Sequence, residues 1–405
     1  MNIQARPAAP PATPSPALRL PPIWLLVGMT GLGPFTMQIM VPSLPGIARA
    51  LEAPVASVQL TVTLYLAAVA AGQLFYGPLS DRFGRRPLLM GGLAVFAVAS
   101  LAAAAAPSLG WLIAARVAQA LGTCAGMVLA RAVIRDCWPR DQSASVLGYV
   151  TMGMTVAPMV APILGSLLEE YVGWRASMLA CLAFGIPLAA AAFLRLPETL
   201  PAPQPLPGLR SIGRAYASLF ALPGFRAMVG VTAFSTGVFF AFLGGAPYVV
   251  VEGMGHSPST FAIAFAAMSV LFALGNFLAG RLSARLGVTR MLSIGTGITT
   301  LGAVLALAAV VALPPNLLLF FAPMGIVAIG NGITQPNAIA GALSARPELA
   351  GTASALAGAL QMGFGALMTL LVGLTETGSG IGTTVTMACA GLGTHLALRA
   401  ARRAG

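Results

Sequence analysis

Lysine is missing altogether: all 22 basic residues are arginine. Without it no P-loop lysine and no Schiff-base lysine exists, which excludes ATP hydrolysis of the Walker type within this chain. Acids are nearly as scarce, ten in 405 residues, and charged residues of both signs make up only 8%. The two histidines, His256 and His395, are too few and too isolated for a histidine-rich metal site. Of the four cysteines, Cys124, Cys181 and Cys389 fall in apolar runs and Cys137 in a polar break. Their spacing matches neither a disulfide nor a zinc site, and they read as packing residues. No metal or other cofactor is expected. With 58% hydrophobic residues, a water-facing surface cannot be assembled, so the chain belongs in a membrane.

What is abundant is apolar sequence in long runs. A spanning helix needs roughly 20 such residues, and twelve runs qualify, near 22–42, 57–79, 88–106, 110–132, 143–167, 176–195, 227–250, 259–280, 291–312, 317–343, 351–372 and 383–398. Residues 1–21 are rich in Pro and Ala and read as a disordered tail; no cleavable signal peptide is evident, so the first span is expected to insert and remain. With the N-terminus inside, 19 arginines fall in cytoplasmic breaks and tails, whereas Arg49 and Arg175 fall outside and Arg116 lies within a span. Arginine bias sets orientation, so both termini are expected in the cytoplasm. The net charge of +12 is spread over loops and not gathered into one basic domain, which argues for topology and against nucleic acid.

The longest polar break, 196–226, separates a first bundle of six spans (22–195) from a second (227–398), with a short tail at 399–405. This linker starts Pro-rich and reads as a tether ending in a short amphipathic helix, with Ile212, Tyr216, Leu219 and Phe220 on one face and Arg210 and Arg214 on the other. A shift of 203 residues lays "GQLFYGPLSDRFGRRPLL" (72–89) over "GNFLAGRLSARLGVTRML" (275–292) without gaps, matching Gly77 to Gly280, Ser80 to Ser283, Arg82 to Arg285 and Gly84 to Gly287. A repeat of half the chain in a twelve-span protein predicts an all-α membrane fold of two pseudo-symmetric six-helix bundles, with a substrate site between them near the midplane.

The segment Gly77-x-Leu79-x-Asp81-Arg82-x-Gly84-Arg85-Arg86 resembles the loop signature of the major facilitator superfamily, in its usual place between the second and third helices. "VPSLPGIA" (41–48), "APMVAPILGSLL" (157–168), "ETLP" (198–201) and "AGTASALAGALQMGFGAL" (350–367) resemble the Bcr/CflA branch of multidrug efflux transporters. The likeness covers essentially the whole chain. It implies the superfamily fold, a bacterial inner-membrane location, a monomer and drug/H+ antiport of small molecules. For the loop it implies that Asp81 makes a charge-assisted contact with the neighbouring bundle or a helix end and latches one conformation. The alternative is topology alone, with Arg82, Arg85 and Arg86 anchoring the cytoplasmic side. In the second copy Asp81 is replaced by Ala284, so any latch is asymmetric.

Arg116 is the sharpest candidate site residue, because a guanidinium inside a span is costly and faces a partner or a wet cavity. Helical spacing aligns it with Gln119 and Thr123. The segment resembles the superfamily's fourth-helix Arg-x-x-Gln-Gly motif, with Ala120 in place of the glycine; the alternative is snorkelling to the outer interface near Trp111. Pro158, Pro162 and Gly165 resemble the fifth-helix antiporter motif, the alternative being close packing. Many relatives carry an acid where this chain has Gln38, which cannot titrate, and none of the ten acids falls deep in a predicted span. Proton coupling is therefore expected to use an interfacial carboxylate such as Asp81 or Glu252, or the substrate itself. The cavity is expected to hold Gln38, Tyr65, Arg116 and Gln119 from the first half and Phe239, Phe240, Asn331, Gln335 and Gln361 from the second, and to prefer neutral or anionic amphiphiles. For each of these except Arg116 and Gln38, helix packing is an equal alternative. Two rival functions are a specific metabolite transporter of the same fold and a membrane enzyme or sensor; no nucleophile–base set or appended domain supports the latter.

Overall fold

The computed structural model describes residues 20–200, 202–206 and 208–404, apart from the side chains of several helical residues, Pro158 among them. Of the tail expected at 1–21, residues 1–19 lie outside the described part. In hydrocarbon every backbone N–H and C=O has to be satisfied within its own segment, so the apolar runs become helices. The first half holds α1 (Ile23–Gln38), α2 (Leu44–Ala50), α3 (Val55–Phe83), α4 (Arg85–Ala104), α5 (Leu109–Cys137), α6 (Arg140–Tyr171) and α7 (Trp174–Arg195). Helix α8 (Leu209–Phe220) follows in the linker. The second half holds α9 (Pro223–Tyr248), α10 (Pro258–Leu286), α11 (Val288–Ala312), α12 (Leu317–Ser344), α13 (Ala350–Thr375) and α14 (Ile381–Ala404). Each of the twelve expected runs lies on one crossing, with α1 and α2 forming the first together. Eleven crossings are long and apolar enough among the described residues, and the 32-residue α6 is the twelfth.

An even number of crossings puts both ends of the chain on one side, here called the terminal end. The first and seventh crossings both become irregular at the far end. Helix α1 stops at Gln38 and resumes as α2 after a tight turn at Val41–Ser43, because Pro42 and Pro45 supply no backbone donor. After Pro247, α9 ends in a wider turn at Val249–Gly253. The repeat also survives in backbone conformation: Gly84 (φ 94°) and Gly287 (φ 79°), paired by the 203-residue shift, both take the left-handed turn that breaks one crossing from the next.

Across the interface α3 packs on α13 and α6 on α10, and the apolar core is continuous through both halves, from Tyr65 and Val69 to Phe240 and Met368. At the far end α2 and the Val41–Ser43 turn also pack on α9. At the terminal end long side chains reach across, Arg131 Nη1 to Ser354 Oγ at 3.3 Å. Helix α8 is docked on both halves. The Tyr216 hydroxyl donates to the Leu74 carbonyl at 3.1 Å, while Leu219 is buried against Phe225 and Ala353. Partial burial pushes the Tyr216 phenol up, so it remains a neutral donor. The amphipathic face is Ile212, Ala215, Tyr216 and Leu219; Phe220, expected with them, is exposed where the chain turns toward α9.

Helices α1 and α6 touch backbone to side, and a Cβ on Gly165 would run into the carbonyl of Ile39. Gly165→Ala is expected to cost on the order of 1–3 kcal/mol by overpacking, seen as a lower thermal midpoint in detergent. Gly77→Ala and Gly280→Ala, where a Cβ meets nothing within 4 Å, should leave the midpoint unchanged or raise it.

Candidate functional site: two polar clusters and two ends

The charged loop at the terminal end is a closed network inside the first bundle. Arg85, nearly buried, pairs with Asp81 Oδ1 at 2.6 Å and with Asp136 Oδ2, at the end of α5, at 3.1 Å, and also donates to Ser80. Asp136 Oδ2 further accepts from the Thr199 hydroxyl at 3.1 Å. Glu198, the acid of "ETLP", caps α4: its carboxylate accepts from the backbone N–H of Arg85 at 3.0 Å and of Arg86 at 3.1 Å. A carboxylate at this position answers both the free N–H groups and the positive end of the helix. A Cβ on Gly84 would meet Glu198 Oε2 at 2.6 Å, so the cap itself requires glycine there. Arg86 lies over the Phe193 ring, 5.3 Å from its centroid, and donates to the Phe193 carbonyl. Arg82 is exposed.

Asp81, expected to contact the neighbouring bundle or a helix end, lies within the first bundle beside the start of α4. In this conformation its carboxylate is taken by Arg85, one turn away, and its carbonyl accepts from Gln204 of the linker at 2.8 Å. The second copy keeps the contact without the charge: Ser283 donates to Asn337 Oδ1 at 2.9 Å, tying α10 to α12.

Arg116 is completely buried, so the snorkelling alternative does not hold. Its Nη1 donates to the Thr36 carbonyl of α1 at 3.0 Å and to Gln119 Oε1 at 2.6 Å. Gln119 Nε2 passes the connection to Ser100 of α4 at 2.8 Å. The guanidinium sits over the ring of Tyr65, 4.3 Å from the centroid, and the Tyr65 hydroxyl is held by the Gly33 carbonyl and Thr123 Oγ1, each at 3.1 Å. Placing an arginine at the centre of a span costs roughly 3 kcal/mol. Hydrogen bonds from an ionised donor contribute about 1.5–3 kcal/mol each and a desolvated cation–π contact about 2 kcal/mol. The ion is thus held without a carboxylate, while its Nε and Nη2 have no partner among the described residues. Gln38 is buried at the end of α1, also with its Oε1 unpartnered.

The second half has its own cluster. Gln335 and Gln361 both donate to Thr236 Oγ1, at 2.6 and 2.7 Å, and Gln361 also donates to Gln335 Oε1 at 3.1 Å. Asn331 is turned into its own bundle, satisfied by Ser235 and Thr299. Phe239 and Phe240 pack edge to face, and Phe240 lies against Gly365 of α13. Among these nine residues the hydrogen bonds thus stay within each half, while Tyr65 and Phe240 share one apolar core. The physical reason is that Arg116, Gln119 and Asn331 each find hydrogen-bond partners within their own bundle. Pro162 and Gly165 are buried in α6; the side chain of Pro158 lies outside the described residues.

Sequence reasoning missed the far end. There Arg49 Nη1 meets Glu252 Oε1 at 3.5 Å across the interface, Ser259 donates to Glu170 Oε2 at 2.8 Å, and the Tyr248 hydroxyl donates to the Leu44 carbonyl at 3.3 Å. Gln59 is buried between Gly244 and Gly373 of the opposite half with both amide atoms unpartnered. Around this seam a cavity of about 550 Å³ opens, lined by Pro45, Arg49, Glu52, Tyr248 and Glu252. Beside it Glu376 accepts from the N–H groups of Thr377, Gly378, Gly380 and Thr383, anchoring the start of α14. The seam's charged residues were visible as outer-face charges, but nothing in a single sequence pairs residue 49 with 252.

Two six-helix bundles with matching broken first helices and a charged hinge loop define a membrane transporter, not an enzyme. The chain belongs to the Major Facilitator Superfamily, whose family model matches residues 26–369. It is 33% identical over 348 residues to the "Chloramphenicol resistance protein" of Pseudomonas aeruginosa, covering 84% of this chain and 80% of that one. It is 32% identical over 364 residues to "Multidrug resistance protein D" of Escherichia coli (88% and 89% covered). The crystal structure of a D-xylose-proton symporter superposes with a TM-score of 0.75 at 14% identity, over 93% of this chain and 96% of that chain, which supports the fold. The resemblance to Bcr/CflA-type drug efflux transporters is borne out by these relatives.

Replacing Glu198 with Ala removes the α4 cap and is expected to cost about 1–2 kcal/mol, the size of an N-cap loss, read as a lower thermal midpoint. Arg82→Ala, at an exposed position, should change it by less than about 0.5 kcal/mol.

Proposed function

We propose that the protein exports small amphiphilic compounds across a bacterial inner membrane by alternating access of its two bundles, coupled to proton entry, with both termini in the cytoplasm. The observation that carries this reading is likeness over more than four-fifths of the chain to relatives named for chloramphenicol and multidrug resistance. The arginine bias supports the orientation, which makes the far end the outer face and the closed seam there an outer gate. Arg116, held in place with its Nε and Nη2 unpartnered and no carboxylate paired with it among the described residues, favours neutral or anionic amphiphiles over permanent cations. A second reading, a specific metabolite transporter with altered or absent proton coupling, is favoured by one observation, the non-titratable Gln38 at the end of α1.

Reconstitution in liposomes with an imposed pH gradient tests coupling: substrate is expected to move against the proton flow, and movement indifferent to the gradient would exclude antiport. Arg116→Ala is expected to slow transport of a carboxylate-bearing substrate by about tenfold or more, the loss of one or two charge-assisted hydrogen bonds. Strong efflux of ethidium that disappears in Arg116→Ala would contradict the charge preference.

A further inference from the structure

The proton carrier left open by Gln38 has a candidate at the outer gate. Ten of the eleven buried polar side-chain atoms that lack a partner among the described residues lie in the outer half of the first bundle, and seven of them form a line. They run inward from Glu169 and Ser43, past Gln38 and Ser177, to Thr36 and Arg116. Such atoms are costly when isolated and mark a route that polar species can follow. Glu169 stands at its outer mouth. Its side chain is pressed on Gly46 of α2, where an added Cβ would run into Oε1. Ser43 lies close to its carboxyl group, and Glu169 Oε2 and Ser43 Oγ each lack a partner in hydrogen-bonded geometry among the described residues.

The charged groups around Glu169 are few. From α2 comes Arg49, one turn beyond Gly46, but in this conformation its guanidinium is given to Glu252 of the other bundle. From α7 comes Arg175, which donates to the Ala106 carbonyl and stacks on Trp174. Its neighbour Glu170 accepts from Ser259 of α10. The Val41–Ser43 turn and the start of α10 present hydroxyls and no charge. A half-buried carboxylate beside a cation committed elsewhere is stabilised in its neutral form. When the outer ends part, the Arg49–Glu252 contact is lost and Arg49, on the same bundle as Glu169, is free to pair with it.

We propose that Glu169 is the proton-binding carboxylate of the transport cycle: it takes up a proton from the outer solution as the outer gate closes, gives it up inward along this polar line while the gate is closed, and, once ionised, pairs with Arg49 as the gate reopens. The proposal rests on the antiport reading above. Its sign is fixed by linkage: the closed gate binds one more proton than the open gate, so closure is favoured as pH falls. Arg49 is then the exchanging partner, serving Glu252 across the seam or Glu169 within its own bundle.

Two measurements on the full-length protein in lipid test this. Spin labels at Tyr171→Cys and Val311→Cys, exposed positions near the outer ends of α6 and α11, report the gate distance in a background with Cys389→Ser. Between pH 5 and 8 the closed-to-open ratio is expected to rise as pH falls, by up to about tenfold per pH unit for one linked proton. Glu169→Gln should hold the gate closed with no pH slope, whereas Glu169→Asp and Glu170→Gln should keep the slope. A parental slope retained in Glu169→Gln, or no slope in the parent, overturns the proposal. Efflux in liposomes separates the two readings: efflux driven by the pH gradient equally in parent and Glu169→Gln overturns Glu169 while antiport stands. A parent indifferent to the gradient overturns antiport itself.

Discussion

One positive charge, buried without a carboxylate, organises the first bundle. Arg116 cannot be left in hydrocarbon unpaired, so the chain supplies a carbonyl from α1, an amide from α5 and an aromatic face from α3. Those three elements are thereby fixed around one point near the break that ends α1 at Gln38. Among the described residues the second bundle has no such buried cation; neutral amides and hydroxyls link α9, α12 and α13 instead. Two halves of one ancestral design thus keep the same glycine turns and the same broken first helix, but only one keeps charge at its centre.

The same asymmetry recurs at the terminal end. Asp81, Arg85, Asp136 and Glu198 tie α3, α4, α5 and the segment after α7 into one unit, and Ser283 with Asn337 does the corresponding work without ions. Buried or half-buried ion networks are sensitive to the loss of a single partner. The first bundle is accordingly the one in which charge changes are felt over several helices.

The fold was legible because it rests on local signals: run length, arginine bias, and a repeat that needs no structure to detect. The alignment of Arg116 with Gln119 was legible too, because helical spacing sets it. What could not be read is pairing across distance. Glu198 stood out as part of a motif, but its contact with the N–H groups of Arg85 and Arg86 joins positions more than a hundred residues apart. Phe220 was misplaced because an ideal helical stripe ignores the turn that ends α8. The partner of Asp81 was left open between the neighbouring bundle and a helix end because sequence gives its charge and not its nearest cation, which in this conformation is Arg85.

Helix α8 holds the Leu74 carbonyl with one residue and a pocket beside α13 with another three positions later. Were the two bundles to rock against each other, a slack tether at their rims would be stretched and loosened in turn. A short rod with one foothold on α3 and the other beside α13, helices packed on each other along the seam, would lie near the axis of such a motion. From there it would permit rotation while resisting separation, a linker that acts as a pin and not as a slack tether.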